Sequence, residues 1–254
     1  MSRRAAALLA WSAWTLCVVL AAIAVLLALL TPPGHTKTSS NWGVFLSVLL
    51  AYPTVGAIVA SRCPKNLVGW ILCGIGLLFG IEAFAEAYPY YALTAGSDWL
   101  PGGVYMAWFS EELLVLPGLF LGSALLVLLF PNGRLLSRGW RAIVWLAVGG
   151  SAMTALGLAT WPDRISPYGI SNPFGIERNL RTIVDVLGRL GAATLLVCCV
   201  LAVISVFVRL QRAEGEERQQ IKWFAYAAAV LLSTFFLGLP LAAVIAAIGG
   251  DGQD

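Results

Sequence analysis

Four carboxylates stand among aromatic residues in otherwise apolar sequence, Glu82 and Glu86 in one long hydrophobic run and Glu111 and Glu112 in the next. The i,i+4 spacing of Glu82 and Glu86 puts both on one face of a helix. Tyr88, Tyr90, Tyr91, Tyr105 and Trp108 lie close by in the chain. Acidic groups ringed by aromatics can take up a proton, a cation or a cationic ligand, and ionisable residues in a membrane segment are functional candidates by default. An outward-facing polar pocket is therefore expected from Glu82, Glu86, Glu111, Glu112, Tyr88, Tyr105 and Trp108. Alternatively, the carboxylates pair with Arg181 or Arg189 and the aromatics form an interfacial belt.

Other chemistry is poorly supported. The five cysteines (Cys17, Cys63, Cys73, Cys198, Cys199) show neither CxxC nor Cys/His ligand spacing, and read as small apolar residues. Adjacent Cys198 and Cys199 fall in mid-membrane, where thiolates form poorly. The single histidine, His35, falls in a polar loop, which removes His-based metal clusters and Ser-His-Asp catalysis. No lysine follows a glycine, so no GxxxxGK[ST] phosphate loop exists. No charge sits near a bilayer midplane, which argues against a proton-coupled carrier. A retinal protein needs a lysine deep in its last helix, whereas Lys222 lies at the start of one. No catalytic residue, cofactor, metal or nucleic-acid partner is indicated.

The elements that must position these residues follow from composition. Of 254 residues, 59% are hydrophobic and 11% charged, against about 25% charged in soluble domains. An all-α, polytopic membrane bundle in a single domain is expected, with the lipid bilayer as its first partner. Apolar runs place helices at about 5–31, 42–61, 67–91, 104–130, 140–161, 177–212 (apolar core 190–208) and 221–248, each core long enough to cross about 30 Å of hydrocarbon. The first run is too long for a cleaved signal peptide and reads as a retained helix. Pro53 and Pro240 fall inside helices. Gly76-xxx-Gly80 and Gly118-xxx-Gly122 allow close helix contact, which is expected within the chain.

Seven spans can be oriented by charge. With the N-terminus in the cytoplasm, eleven of the sixteen Lys and Arg residues fall inside: Arg3, Arg4, Arg62, Lys65, Arg134, Arg138, Arg141, Arg209, Arg212, Arg218 and Lys222. Lys37, Arg164, Arg178, Arg181 and Arg189 fall outside. The positive-inside rule favours this orientation, which is opposite to that of G-protein-coupled receptors and leaves Asp254 outside. A cytoplasmic domain attached downstream would need an eighth helix. Outside, Glu177, Arg181, Asp185 and Arg189 recur every fourth residue with alternating sign, a charge ladder on one helix face.

Three turns on the expected cytoplasmic side share a further property. The first reads Pro64-Lys65-Asn66-Leu67-Val68-Gly69-Trp70. The second reads Leu129-Phe130-Pro131-Asn132-Gly133-Arg134-Leu135, followed by Ser137-Arg138-Gly139-Trp140-Arg141. The third runs Arg212-Ala213-Glu214-Gly215-Glu216-Glu217-Arg218-Gln219-Gln220-Ile221-Lys222-Trp223-Phe224. Together with Leu100-Pro101-Gly102-Gly103 and Trp108, they resemble, in order and spacing, the N-terminal membrane region of a family of bacterial sensor histidine kinases common in actinobacteria. The likeness covers about residues 62–226. It implies a sensory input module of a two-component system in a bacterial cytoplasmic membrane, working with a kinase core or response-regulator pathway in cis or in trans, often as a homodimer.

The resemblance also implies that Pro64, Asn66, Gly69, Trp70, Pro131, Asn132, Gly133, Arg134, Trp140, Arg141, Arg212, Gly215, Arg218, Gln219, Gln220, Lys222 and Trp223 form signalling turns. Arg134, Arg138 and Arg141 can hold anionic headgroups, and Trp140 and Trp223 can anchor at the interface. The sequence departs from the full kinase plan in having no phosphoacceptor histidine helix and no Gly-rich ATP domain within these 254 residues, so the chain could be a fragment or a stand-alone relative. Glu111 and Glu112 are also unusual for a segment that is mostly apolar in such kinases. Two other classes remain open on the residues alone: a channel or transporter subunit with an acidic outer vestibule, and a structural membrane partner.

Overall fold

A computed structural model describes residues 2–31, 42–94, 100–112, 115–162, 164–165 and 168–226. The chain forms α1 (Arg3–Leu30), α2 (Trp42–Arg62), α3 (Leu67–Thr94), α4 (Gly103–Glu112), α5 (Val115–Leu129), α6 (Trp140–Ala159), β1 (Arg164–Ile165), β2 (Ile170–Ser171), a 3-10 turn at Arg178–Leu180 and α7 (Arg181–Arg212). A further helix, α8, covers 215–226. Among the described residues the architecture is helical apart from the two-residue antiparallel pair β1–β2. Two compact units divide it, Met1–Val203 and Ile204–Asp254.

Among the described residues, four helices are long and apolar enough to cross a membrane: Arg3–Leu30, Leu67–Leu93, Trp140–Ala159 and Arg181–Arg212. Their surfaces carry large apolar side chains; Leu8 is 74% exposed, Leu29 78% and Trp145 72%. Water-soluble domains do not display contiguous faces of this kind, whereas lipid chains solvate them at no cost.

The interior is correspondingly built from small residues. α3 packs against α1, α2, α4 and α5. Between α1, α2 and α3 the buried residues are Ala10, Ala57, Ala60 and Cys73 at one level and Cys17, Ala21, Ala24, Leu49 and Ala83 at another. Between helices in lipid, association relies on close packing because the tails are as apolar as leucine. Gly76 lies directly under Pro53 of α2, where an added Cβ would come within 2.4 Å of the proline ring. Gly80 abuts Cys17 of α1, while Gly118 and Gly122 of α5 face Leu78 and Ile75 of α3. Both glycine pairs thus serve contacts inside the chain. The Cys17 thiol donates to the Gly76 carbonyl at 3.2 Å, and the Trp14 indole donates to Thr54 Oγ1 at 2.8 Å.

α6 and the first part of α7 meet in the same manner. A Cβ on Gly157 would lie 2.7 Å from Gly188 Cα, and one on Gly191 would lie 2.6 Å from Thr154 N. Ser151 of α6 donates to the Pro117 carbonyl of α5 at 3.0 Å, a buried hydrogen bond that joins the two helices.

Over the single expected run 104–130 stand two described helices, α4 and α5, with 113 and 114 outside the described residues. α7 begins at Arg181, four residues later than expected, because Arg178–Leu180 forms a tighter turn ahead of it. Of the expected helix 221–248, the described part ends at 226; Pro240, Asp254, Lys37 and His35 lie outside the described residues.

Candidate functional site

The loop after α2 and the loop after α5 dock onto each other at one end of the first unit. α2 closes with the Cys63 N–H on the Val59 carbonyl at 2.8 Å, and the Asn66 N–H returns to the Cys63 carbonyl at 2.9 Å. This turn sets Asn66 at the head of α3, where its Oδ1 accepts from the Val68 N–H at 3.0 Å, an N-cap. The same side chain reaches across the bundle: Nδ2 donates to the Pro131 carbonyl at 3.0 Å.

The receiving loop is shaped to fit. Gly133 has φ +69°, a left-handed conformation that suits glycine, and donates its N–H to the Leu129 carbonyl at 2.7 Å. A Cβ there would stand 2.5 Å from Asn66 Oδ1 and 2.7 Å from Leu67 N, so the two loops touch backbone to backbone. Pro131 and Gly133 are buried, while Asn132, Arg134, Arg138 and Arg141 are exposed. Trp70 holds the first turn by donating its indole N–H to the Pro64 carbonyl at 3.1 Å, and Gly69 lets α3 approach Ala60 of α2. Trp140, half-buried, starts α6.

At the far end of α3 and α4 an aromatic cluster gathers around the loop between α6 and α7. Trp108 donates its indole N–H to the Ala159 carbonyl at 2.9 Å, and its ring lies 4.5 Å from that of Phe174. Tyr105 flanks the same phenyl ring at 6.1 Å. Asn172 secures the loop, donating to the Ala159 and Trp161 carbonyls at 3.0 and 2.8 Å and accepting from the Phe174 N–H at 2.9 Å. Tyr90 meets Tyr168 at 5.1 Å, and the Tyr88 hydroxyl donates to the Pro101 carbonyl at 2.8 Å. Tyr88, Tyr90, Tyr105 and Trp108 are close in sequence, whereas Tyr168, Asn172 and Phe174 carry no expected role; the Asn172-Pro173-Phe174-Gly175 turn is the signal that points to this loop.

Tyr105 and Trp108 also line a cavity of about 340 Å³ with Leu20, Ile81, Phe84 and Phe109, between α1, α3 and α4. Among the described residues its lining is apolar. Glu82 and Glu86 are half-buried on α3, with Glu82 Oε2 shielded from solvent, but neither lines this cavity. Glu111 and Glu112 close α4; their side chains lie outside the described part of the structure. The structure therefore brings Tyr105 and Trp108 to one site, with Tyr88 tied separately to the loop before α4.

In the expected charge ladder, Asp185 accepts from Arg189 Nε at 2.8 Å. Arg181 stacks over the Trp161 ring at 4.8 Å, a cation–π contact. Glu177 precedes the 3-10 turn and is exposed. Among the described residues, no group of three His, Cys, Asp or Glu side chains could hold a metal ion.

The third expected turn belongs to the second unit. Arg212 ends α7, Gly215 (φ +55°) starts α8, and Arg218, Gln219, Gln220, Lys222 and Trp223 are exposed along it. The chain matches no family model, no curated protein and no solved structure.

Proposed function

We propose that the chain is a membrane-embedded sensory input module of a two-component histidine kinase. It would lie in a bacterial cytoplasmic membrane with seven spans and its N-terminus inside, and its kinase core would act in cis or in trans, with a homodimer as the working unit. The observation that supports this most is the clasp between Asn66 and Pro131. The two loops that share it carry two of the motifs on which the resemblance rests. A direct bond between them gives those motifs a common physical task.

The proposed mechanism uses α3 as a rod. Its 28 residues span about 42 Å at 1.5 Å per residue. One end carries Asn66 and the clasp; the other packs against α4 beside the apolar cavity and the aromatic cluster. A change in lipid packing or an apolar occupant at Tyr105 and Trp108 shifts α3, and the shift reaches the 131–141 loop through Asn66. Displacements of about 1–2 Å are an adequate signal for such switches. The described lining of the cavity is apolar, which supports an apolar occupant there.

Sequencing the source genome around this reading frame tests the assignment. A frame that continues into an eighth helix and a histidine-bearing coiled coil, or an adjacent kinase gene, supports it. An unrelated continuation with no kinase gene beside it overturns it.

A further inference from the structure

We propose that one face of α8 is a binding site for the headgroups of anionic phospholipids. Gly215, Arg218, Gln219, Lys222, Trp223 and Tyr226 border a hollow of about 680 Å³ on this helix. Their spacing is i, i+3, i+4, i+7, i+8 and i+11, which places all six on one side of a helix. Ile221, on the other side, is 1% exposed. α8 is therefore amphipathic, with its outward face carrying the cations and aromatics.

The composition of that face selects the ligand. Arg218 and Lys222 are a like-charge i,i+4 pair, an arrangement that disfavours a helix by itself and is relieved by an anion. Among the described residues neither has a salt-bridge partner within 4.0 Å. The nearby acids do not neutralise the pair. Glu217 lies within electrostatic reach of Arg209 instead, Glu214 precedes the helix, and Glu216 sits about 120–160° round it from the two cations. Gln219 adds an amide donor between Arg218 and Lys222.

Beside the cations, Trp223 and Tyr226 are 65% and 64% exposed and meet edge to face at 6.3 Å. Aromatics with one polar edge collect at the headgroup level of bilayers. α8 also follows directly from α7, a helix able to cross a membrane, whose last turn carries Arg209 and Arg212. Charge, aromatic content and continuity with a spanning helix all point to an anionic leaflet as the occupant. The inference is independent of any kinase function.

Reconstitution of the full chain in vesicles of phosphatidylcholine with or without phosphatidylglycerol tests it, using photoactivatable versions of each lipid and peptide mapping of the adducts. Phosphatidylglycerol is expected to label the 215–226 peptide with a preference of roughly thirtyfold over phosphatidylcholine, the scale of two basic residues at an anionic surface. R218Q/K222Q is expected to reduce the preference several-fold. Equal labelling of the wild-type chain by both lipids overturns the proposal without recourse to any variant. Loss of labelling on adding millimolar inorganic phosphate also overturns it, since the site would then serve a soluble anion.

Discussion

Asn66 uses both ends of its amide: the oxygen caps α3 and the nitrogen holds Pro131 of a loop 65 positions away. Loss of a cap costs about 1 kcal/mol, and loss of one further hydrogen bond about as much. Asn66→Ala is therefore expected to destabilise the protein by about 1–3 kcal/mol, seen as a lower midpoint of thermal unfolding in detergent. Gly133→Ala attacks the same clasp from the other side, through its positive φ and the 2.5 Å approach to Asn66 Oδ1. A drop at least as large is expected, because left-handed strain alone costs about 1–2 kcal/mol before the clash is counted. The turn at 131–134 was legible in sequence from its Pro-Asn-Gly run. Its partner was not, since no local rule links residue 66 to residue 131.

At the scale of elements, helix positions were readable because long apolar runs leave few alternatives, and α1, α2 and α6 lie close to their expected bounds. What hydropathy does not encode is which face of a uniformly apolar helix meets a neighbour. Glycine placement carries part of that information. Gly76 sits beneath Pro53, whereas a Cβ on Gly74 would meet nothing within 4 Å. Gly76→Val is accordingly expected to cost about 1–3 kcal/mol by overpacking, while Gly74→Val leaves thermal stability nearly unchanged. Equal effects of the two would contradict the observed rotation of α3. The carboxylates illustrate the converse. Glu82 and Glu86 do share a helix, but the cavity formed beside them is lined by Leu20, Phe84, Tyr105 and Trp108, and that choice depends on how α1 and α4 approach α3. Phe174 was invisible as a partner for Trp108 for the same reason: the loop carrying it lies 66 residues downstream.

For the whole molecule, four helices among the described residues are long and apolar enough to cross a membrane, while the expected count of seven spans rests on the apolar runs and the N-inside orientation on the charge bias. Cys63 offers a direct check, since among the five cysteines it alone is exposed. In intact cells it is expected to resist a membrane-impermeant maleimide and to react after permeabilisation. Labelling in intact cells would reverse the orientation.

The sensory assignment itself is tested most directly by phosphoryl transfer. The tagged chain would be purified from its native membranes with whatever it is attached to or associated with, then incubated with labelled ATP. The account predicts acid-labile phosphate on a histidine, and a change of about fivefold or more in that labelling for Asn66→Ala at matched expression, the lower end of ordinary coupling between sites. Absence of phosphohistidine, or labelling indifferent to the clasp, would contradict it.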